Sequence, residues 1–259
     1  MRGHLGVAML AAVAAVTLGG CSGSDGAAAL ASATPARPLT VYAASSLTAS
    51  FTEIGRQFEL SHPGVIVRFN FAGSADLVAQ LQQGAPADVF ASADAANMDK
   101  AVSAGLVSGT PTGFATNSMT IAVPPDNPAQ IADFADLAQP GAQVVVCAPA
   151  VPCGAATERV EAHTGVILSP VSEESAATDV VNKVAAGEAD AGVVYVTDVV
   201  GSDGSVSGIA IPARDNAVNT YPIGVLADSR EEALAREFQE LVLGRQGRKV
   251  LTSAGFGSP

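Results

Sequence analysis

Short β-rich runs alternate with amphipathic helical stretches along this chain, and that alternation limits the fold more than any other feature. Leu39–Ala43, Val65–Phe71 and Ala87–Ala91 carry strand patterns. Between and after them, Leu47–Leu60, Ser74–Gln83 and Ala95–Ser103 carry apolar residues at helical spacing; Leu47, Phe51, Ile54 and Phe58 share one face. His62-Pro63-Gly64 marks a turn and Gly84 a helix stop. A second set begins at Ser118–Pro124. It continues as a helix over Asp133–Leu137, a strand over Gln143–Cys147, a helix over Cys153–Thr164 and a strand over Val166–Ser169. A helix over Ala176–Ala186 and a strand over Ala191–Tyr195 complete it, with Tyr221–Leu226 and Arg230–Leu243 as a final strand and helix. Strands joined through helices predict parallel sheets covered on both faces. Two such sets predict an α/β chain of two lobes with a cleft between them, and ligands of such folds bind at the carboxyl ends of strands.

Residues 1–38 read differently. Arg2 precedes Leu5–Leu18, a charge-free apolar run that suits a signal peptide over residues 1–20 and is short for a membrane span. Leu18-Gly19-Gly20-Cys21 is similar to a bacterial lipobox, which predicts lipidation of Cys21; an ordinary signal peptide ending near a cysteine is the simpler alternative. Residues 21–38, rich in Gly, Ala and Pro, predict a flexible tether. The protein is then expected outside the cytoplasm, held to the outer face of the cell membrane through Cys21. Without Arg2 the chain has 12 Lys and Arg against 25 Asp and Glu, a net charge of −13, which argues against nucleic acid. Cys147 and Cys153 remain as an even pair in an exported chain, and a disulfide is expected over two free thiols. They lack the nearby partners of a structural zinc site, so no free metal cation is expected.

Four strand-to-helix junctions carry small or hydroxyl residues: Ala43–Ser46, Phe71–Ser74, Cys147–Gly154 and Ser172–Ala177. Helix N-termini present unpartnered backbone N–H groups and partial positive charge, and small residues let a ligand reach them. Several converging ends would hold an anion without any Lys or Arg. Taken singly, Ser46 and Ser74 are most simply N-caps, and Tyr195 a core tyrosine with a satisfied hydroxyl.

Five segments carry a resemblance. Val41–Thr48, Phe71–Ser74, Gly84–Asp94, Val151–Gly154 and Ala189–Tyr195 resemble the periplasmic molybdate-binding proteins of ABC importers, in order and spacing across the chain after residue 38. The resemblance implies a type II binding-protein fold, each lobe a mainly parallel sheet flanked by helices. We place lobe I over 39–118 and 222–259 and lobe II over 119–221. The resemblance further implies capture of molybdate, and of tungstate, by Ser46, Ser74, Tyr195 and the main-chain N–H groups of Cys153 and Ala177. No cofactor is implied. Delivery to a permease and its ATPase by a monomer follows from the same resemblance. Cys153 stands where the family has alanine and Ser45 where it has alanine, so Ser45 could replace or assist Ser46.

Other functions fit less well. A site of donors with no carboxylate disfavours phosphate, which carries a proton; sulfate remains the main alternative. A hydrolase using a strand-end serine would need a nearby base, but the chain has no Gly-x-Ser-x-Gly elbow, and His62 and His163 lie in segments expected to face solvent. Asp88 and Asp94 have strand and capping roles, and Glu173 and Glu174 are expected in solvent. Ferric iron sites favour several tyrosines and carboxylates, and sugar sites favour stacking aromatics; this chain has 3 Tyr and no Trp.

Overall fold

The first two expected βα units form as a three-stranded parallel layer. The computed structural model describes residues 37–259, so the expected leader, Cys21 and most of the tether lie outside the described residues. Strand β1 (Arg37–Ala44) pairs in parallel with β2 (Val65–Ala72) and β3 (Val89–Ala91). It begins two residues before the expected boundary, because the Arg37 N–H donates to Gly64 O at 2.8 Å and extends the ladder to Arg37 and Pro38. Proline is tolerated there, at the start of a strand.

A short 3-10 turn (Ser45–Leu47) leads into α1 (Thr48–Ser61); α2 (Ser74–Gln82) and α3 (Ala95–Ser103) follow β2 and β3. The alternation of β1 sets its two faces. Leu39, Val41 and Ala43 enter the main core with Phe51, Ile54 and Phe58 of α1. Tyr42 enters a second cluster with Leu77, Leu81 and Met98 of α2 and α3.

The sheets are mixed rather than mainly parallel. β4 (Val107–Val123) runs seventeen residues, and β9 (Val218–Leu226) lies antiparallel to both β3 and β4. The expected strand began only at Ser118, because Gly109-Thr-Pro-Thr-Gly113 reads as a loop. In the structure two register irregularities, between Ser108 and Thr112 and between Gly113 and Ala115, carry that stretch through the ladder. Up to Ser118, β4 pairs with β9; from Met119 it pairs with β7 (Ala191–Tyr195), and from Thr120 also with β8 (Ser207–Ala210). One strand therefore links the two halves of a sheet ordered β2-β1-β3-β9-β4-β7-β5-β6.

The second half repeats the parallel theme. β5 (Val144–Cys147) pairs in parallel with β7 and with β6 (Ser172–Glu174). The strand expected over Val166–Ser169 does not form. Ladder bonding to β5 begins when the Val171 N–H reaches Val144 O at 2.8 Å, so the polar Ser172–Glu174 takes the edge while Ile167 stays exposed. The helix expected over Asp133–Leu137 is a 3-10 turn at Ala135–Ala138, held by Asp133 and Asp136 side chains on local N–H groups. Helices α4 (Pro152–Thr164), α5 (Ala177–Ala185) and α6 (Val196–Val200) cover this half. The chain returns through β9 to α7 (Glu232–Leu243) and α8 (Arg245–Ser253) on the first half. Phe238 of α7 packs against Phe51 and Phe58 of α1 there. Among the described residues no helix is long and apolar enough to cross a membrane.

Candidate functional site

The ends of β1, β2, β5 and β7 meet around one small cavity. Ser46, Ser74, Cys153, Ala177 and Tyr195, the five residues singled out from the sequence, all line it, together with Ser45, Gly73 and Pro152. Its volume is about 10 Å³. That is about the room of one water and far below the ~300–1,000 Å³ of drug-sized organic ligands, so a sugar does not fit and even a small ion needs the walls to part.

Four helical N-termini point at it, and none is capped by a side chain. The N-cap positions of the 3-10 turn, α2, α4 and α5 are Ala44, Gly73, Val151 and Ala176, and none makes a side-chain capping bond. Such residues are poor caps, whereas α3 is capped in the ordinary way, by Asp94 accepting from the Asn97 N–H at 2.9 Å. Helices α1, α7 and α8 also lack a side-chain cap, so what sets the four apart is that their N-termini meet at the cavity. Ser46 and Ser74 are not caps: Ser46 lies inside the 3-10 turn and Ser74 is the first residue of α2.

The hydroxyls have other partners. Ser74 Oγ accepts from the Ala93 N–H at 3.0 Å. Ser46 Oγ lies 2.9 Å from the Tyr221 hydroxyl, and Tyr195 Oη accepts from Asn219 Nδ2 at 2.7 Å. Burial pushes the Tyr195 hydroxyl well above the ordinary tyrosine range, with nearby Tyr221 adding to the shift, and burial does the same to Tyr221. Both phenols stay protonated and able to donate. Neither strand-end serine is paired with an imidazole. His62 stacks on Phe58 and meets Glu237 at 2.7 Å, so it is not simply solvent-facing, while His163 is exposed and contacts Asn216 O.

Four residues near the site were not legible beforehand. Tyr221 and Asn219 sit within β9 and Asn117 within β4, each more than a hundred positions from one of its partners, and Arg159 sits within α4, 60 positions from Asn219. The Arg159 guanidinium donates to Asn219 Oδ1, so one cation does stand behind the cavity, in a region expected to have none. Asp198 is the other departure. It is buried, lines the recess beside the cavity with Ser45 and Ser46, and accepts from the Tyr195 N–H at 2.9 Å. Burial raises its carboxyl from 3.8 to about 7, and the Tyr195 bond only partly opposes this. Glu174 is not in solvent either; it pairs with Lys183 at 2.5 Å and accepts from Ser172, and these bonds hold its carboxyl below the usual range.

Close backbone approaches shape the cavity wall. A disulfide joins Cys147 at the end of β5 to Cys153 in the first turn of α4, with Cα atoms 5.6 Å apart. It uses up the Cys153 thiol and leaves that residue its main chain to offer. A Cβ on Gly154 would lie 2.0 Å from Ala148 O, so glycine lets the loop close on the helix. A Cβ on Gly73 would lie 2.0 Å from Ser175 O, across from the second half.

Residues 39–257 match the model of a family described as bacterial extracellular solute-binding protein. The molybdate-binding protein ModA of Mycobacterium tuberculosis is 52% identical over 224 residues, covering 86% of this chain and 86% of that protein. The periplasmic molybdate-binding protein of Azotobacter vinelandii superposes with a TM-score of 0.75 at 22% identity, covering 85% of this chain and 99% of the other. The sulfate-binding protein SubI of M. tuberculosis superposes with a TM-score of 0.74 at 20% identity, covering 85% and 86%. Both superpositions bear on the fold alone, which is that of periplasmic binding proteins. From the family match and the identity to ModA together, this chain belongs to the bacterial extracellular solute-binding proteins.

Proposed function

We propose that this protein captures molybdate, and tungstate with it, between two lobes and delivers it to the permease of an ABC importer. The observation that carries an oxyanion is the meeting of four helical N-termini without side-chain caps and three hydroxyls around one small cavity. Such a site holds a desolvated anion by fixed dipoles and charge-assisted hydrogen bonds, independent of the net charge of −12. The choice of molybdate is supported by the 52% identity to relatives described as molybdate-binding. Ser46, Ser74 and Tyr195 would donate through hydroxyls, Cys153 and Ala177 through main-chain N–H groups. Sulfate is the second reading, because the same donors suit any tetrahedral dianion.

Parallel calorimetric titrations with molybdate, tungstate, sulfate and phosphate test this. Molybdate and tungstate should bind tightly and sulfate far more weakly; equal affinity for molybdate and sulfate would leave only the oxyanion class. Ser46→Ala and Ser74→Ala should each weaken molybdate binding about tenfold or more while the protein still melts cooperatively.

The protein acts as a monomer tethered by an acylated Cys21. Mass analysis of the native protein should show a lipid on an N-terminal Cys21, and a Cys21→Ser protein should leave the membrane fraction. A native protein with an unmodified thiol there would remove the anchor.

A further inference from the structure

We infer that Asn219 is a positioning residue that latches the two halves shut over the captured ion, and so sets how long the ion stays rather than how fast it arrives. The inference rests on the oxyanion reading above and adds to it a residue that does not line the cavity.

Asn219 stands where the sheet passes from one half of the molecule to the other. It lies on β9 directly opposite Asn117 of β4, and both are buried. The next residue of β4, Ser118, is the last to pair with β9 before β4 turns to β7. A buried amide is costly unless its donors and acceptor are used. Those of Asn219 are used on both halves. Its Nδ2 donates to Tyr195 Oη at 2.7 Å and Pro152 O at 3.4 Å in the second half, and to Ala93 O at 3.0 Å in the first. Its Oδ1 accepts from Arg159 of α4, again in the second half.

Three of these four partners belong to the second half, so Asn219 moves with it when the halves part. The bond to Ala93 O is the one that opening breaks. Ala93 is also where the first half holds Ser74, because its N–H donates to Ser74 Oγ at 3.0 Å. Asn219 therefore draws the wall that carries Ser74 onto the wall that carries Tyr195 and Cys153. The closed cavity has room for about one water, so an ion enters or leaves only when those walls part.

A second chain of bonds crosses beside the first. Ser46 Oγ lies 2.9 Å from Tyr221 Oη, and Asn117 Nδ2 reaches Tyr221 Oη at 3.3 Å and Thr197 Oγ1 at 2.7 Å. That chain ends in hydroxyls, which turn to other partners when one is lost. Ala93 O is a backbone carbonyl and cannot turn. Without Asn219 it loses a donor in the closed form and takes water in the open form, which shifts the balance toward opening. The open form meets the ion without using Asn219, so arrival is not slowed.

Asn219→Leu, neutral and close in size, and Asn219→Ala should be compared with the wild type by stopped-flow mixing with molybdate, with thermal melting to confirm folding. The chain has 3 Tyr and no Trp, so the emission of Tyr195 and Tyr221 reports binding. Molybdate should leave the variants about tenfold or more faster and enter them no more slowly. A residue that only supports the fold would lower the melting temperature without dividing the two rates in this way. An unchanged dissociation rate in a folded variant, or a loss of affinity carried by slower association, overturns the inference. A wild type that binds none of molybdate, tungstate and sulfate overturns the oxyanion reading instead. If neither variant folds, NMR of the wild type decides. The side-chain amide protons of Asn219 should exchange with water about tenfold or more slowly with molybdate bound than without it, and equal exchange overturns the inference.

Discussion

Asp198 shows how one residue couples the site to stability. Its carboxyl holds a proton up to about pH 7 in the folded protein, against 3.8 for an ordinary aspartate. Between those values the folded state binds more protons than the unfolded one, so stability falls as pH rises from about 4 through about 7. In an Asp198→Asn protein the side-chain amide would keep an acceptor for the Tyr195 N–H and carry no charge. That variant should be more stable than wild type at pH 8 by at most about 4 kcal/mol, and nearly equal to it below pH 4. Urea melts at several pH values would show this, and parallel pH profiles for the two proteins would rule it out. The five strand-end residues that line the cavity were named through the resemblance to molybdate-binding proteins; the residues alone pointed only to small and hydroxyl side chains at four strand-to-helix junctions, which leave out Tyr195. Asn117, Asn219 and Tyr221 were not legible, since each occupies an unremarkable place in a strand. Their roles arise only when β4 and β9 bring them beneath residues far away in the chain.

At the scale of elements, the regular βα units were readable and the irregular pieces were not. α3 and β7 run over the residues their patterns predict, Ala95–Ser103 and Ala191–Tyr195. The first half of β4 was hidden by Gly109, Pro111 and Gly113, which mark loops in most settings. β6 was hidden because Ser172–Glu174 has no apolar residue, and its place is decided by the free edge of β5. The start of α2 also carries a mechanical constraint. Gly73 meets Ser175 O so closely that Gly73→Ala should prop the two halves apart. We expect that variant to fold, to lose molybdate affinity about tenfold or more, and to show a larger radius of gyration in solution with ligand present. Wild-type affinity together with a wild-type radius would show that the backbone yields there instead.

For the whole molecule, two sets of βα units and the return of the chain near residue 222 to its first half were expected, but the strand directions that make this linkage were not. Sequence periodicity reports which face of a strand is buried and says little about its direction, so the antiparallel placement of β4 and β9 had no signature. That linkage puts β1–β3 at one end of the chain in the same half as β9 and α7 at the other. A chain emerging N-terminus first can form its early βα units but cannot finish that sheet. β3 and β4 lack their shared neighbour until residue 226 has appeared, and Phe51 and Phe58 lack Phe238 for longer still. The half that starts the protein is also the last to close, so a partly emerged chain carries an unfinished sheet until its tail arrives.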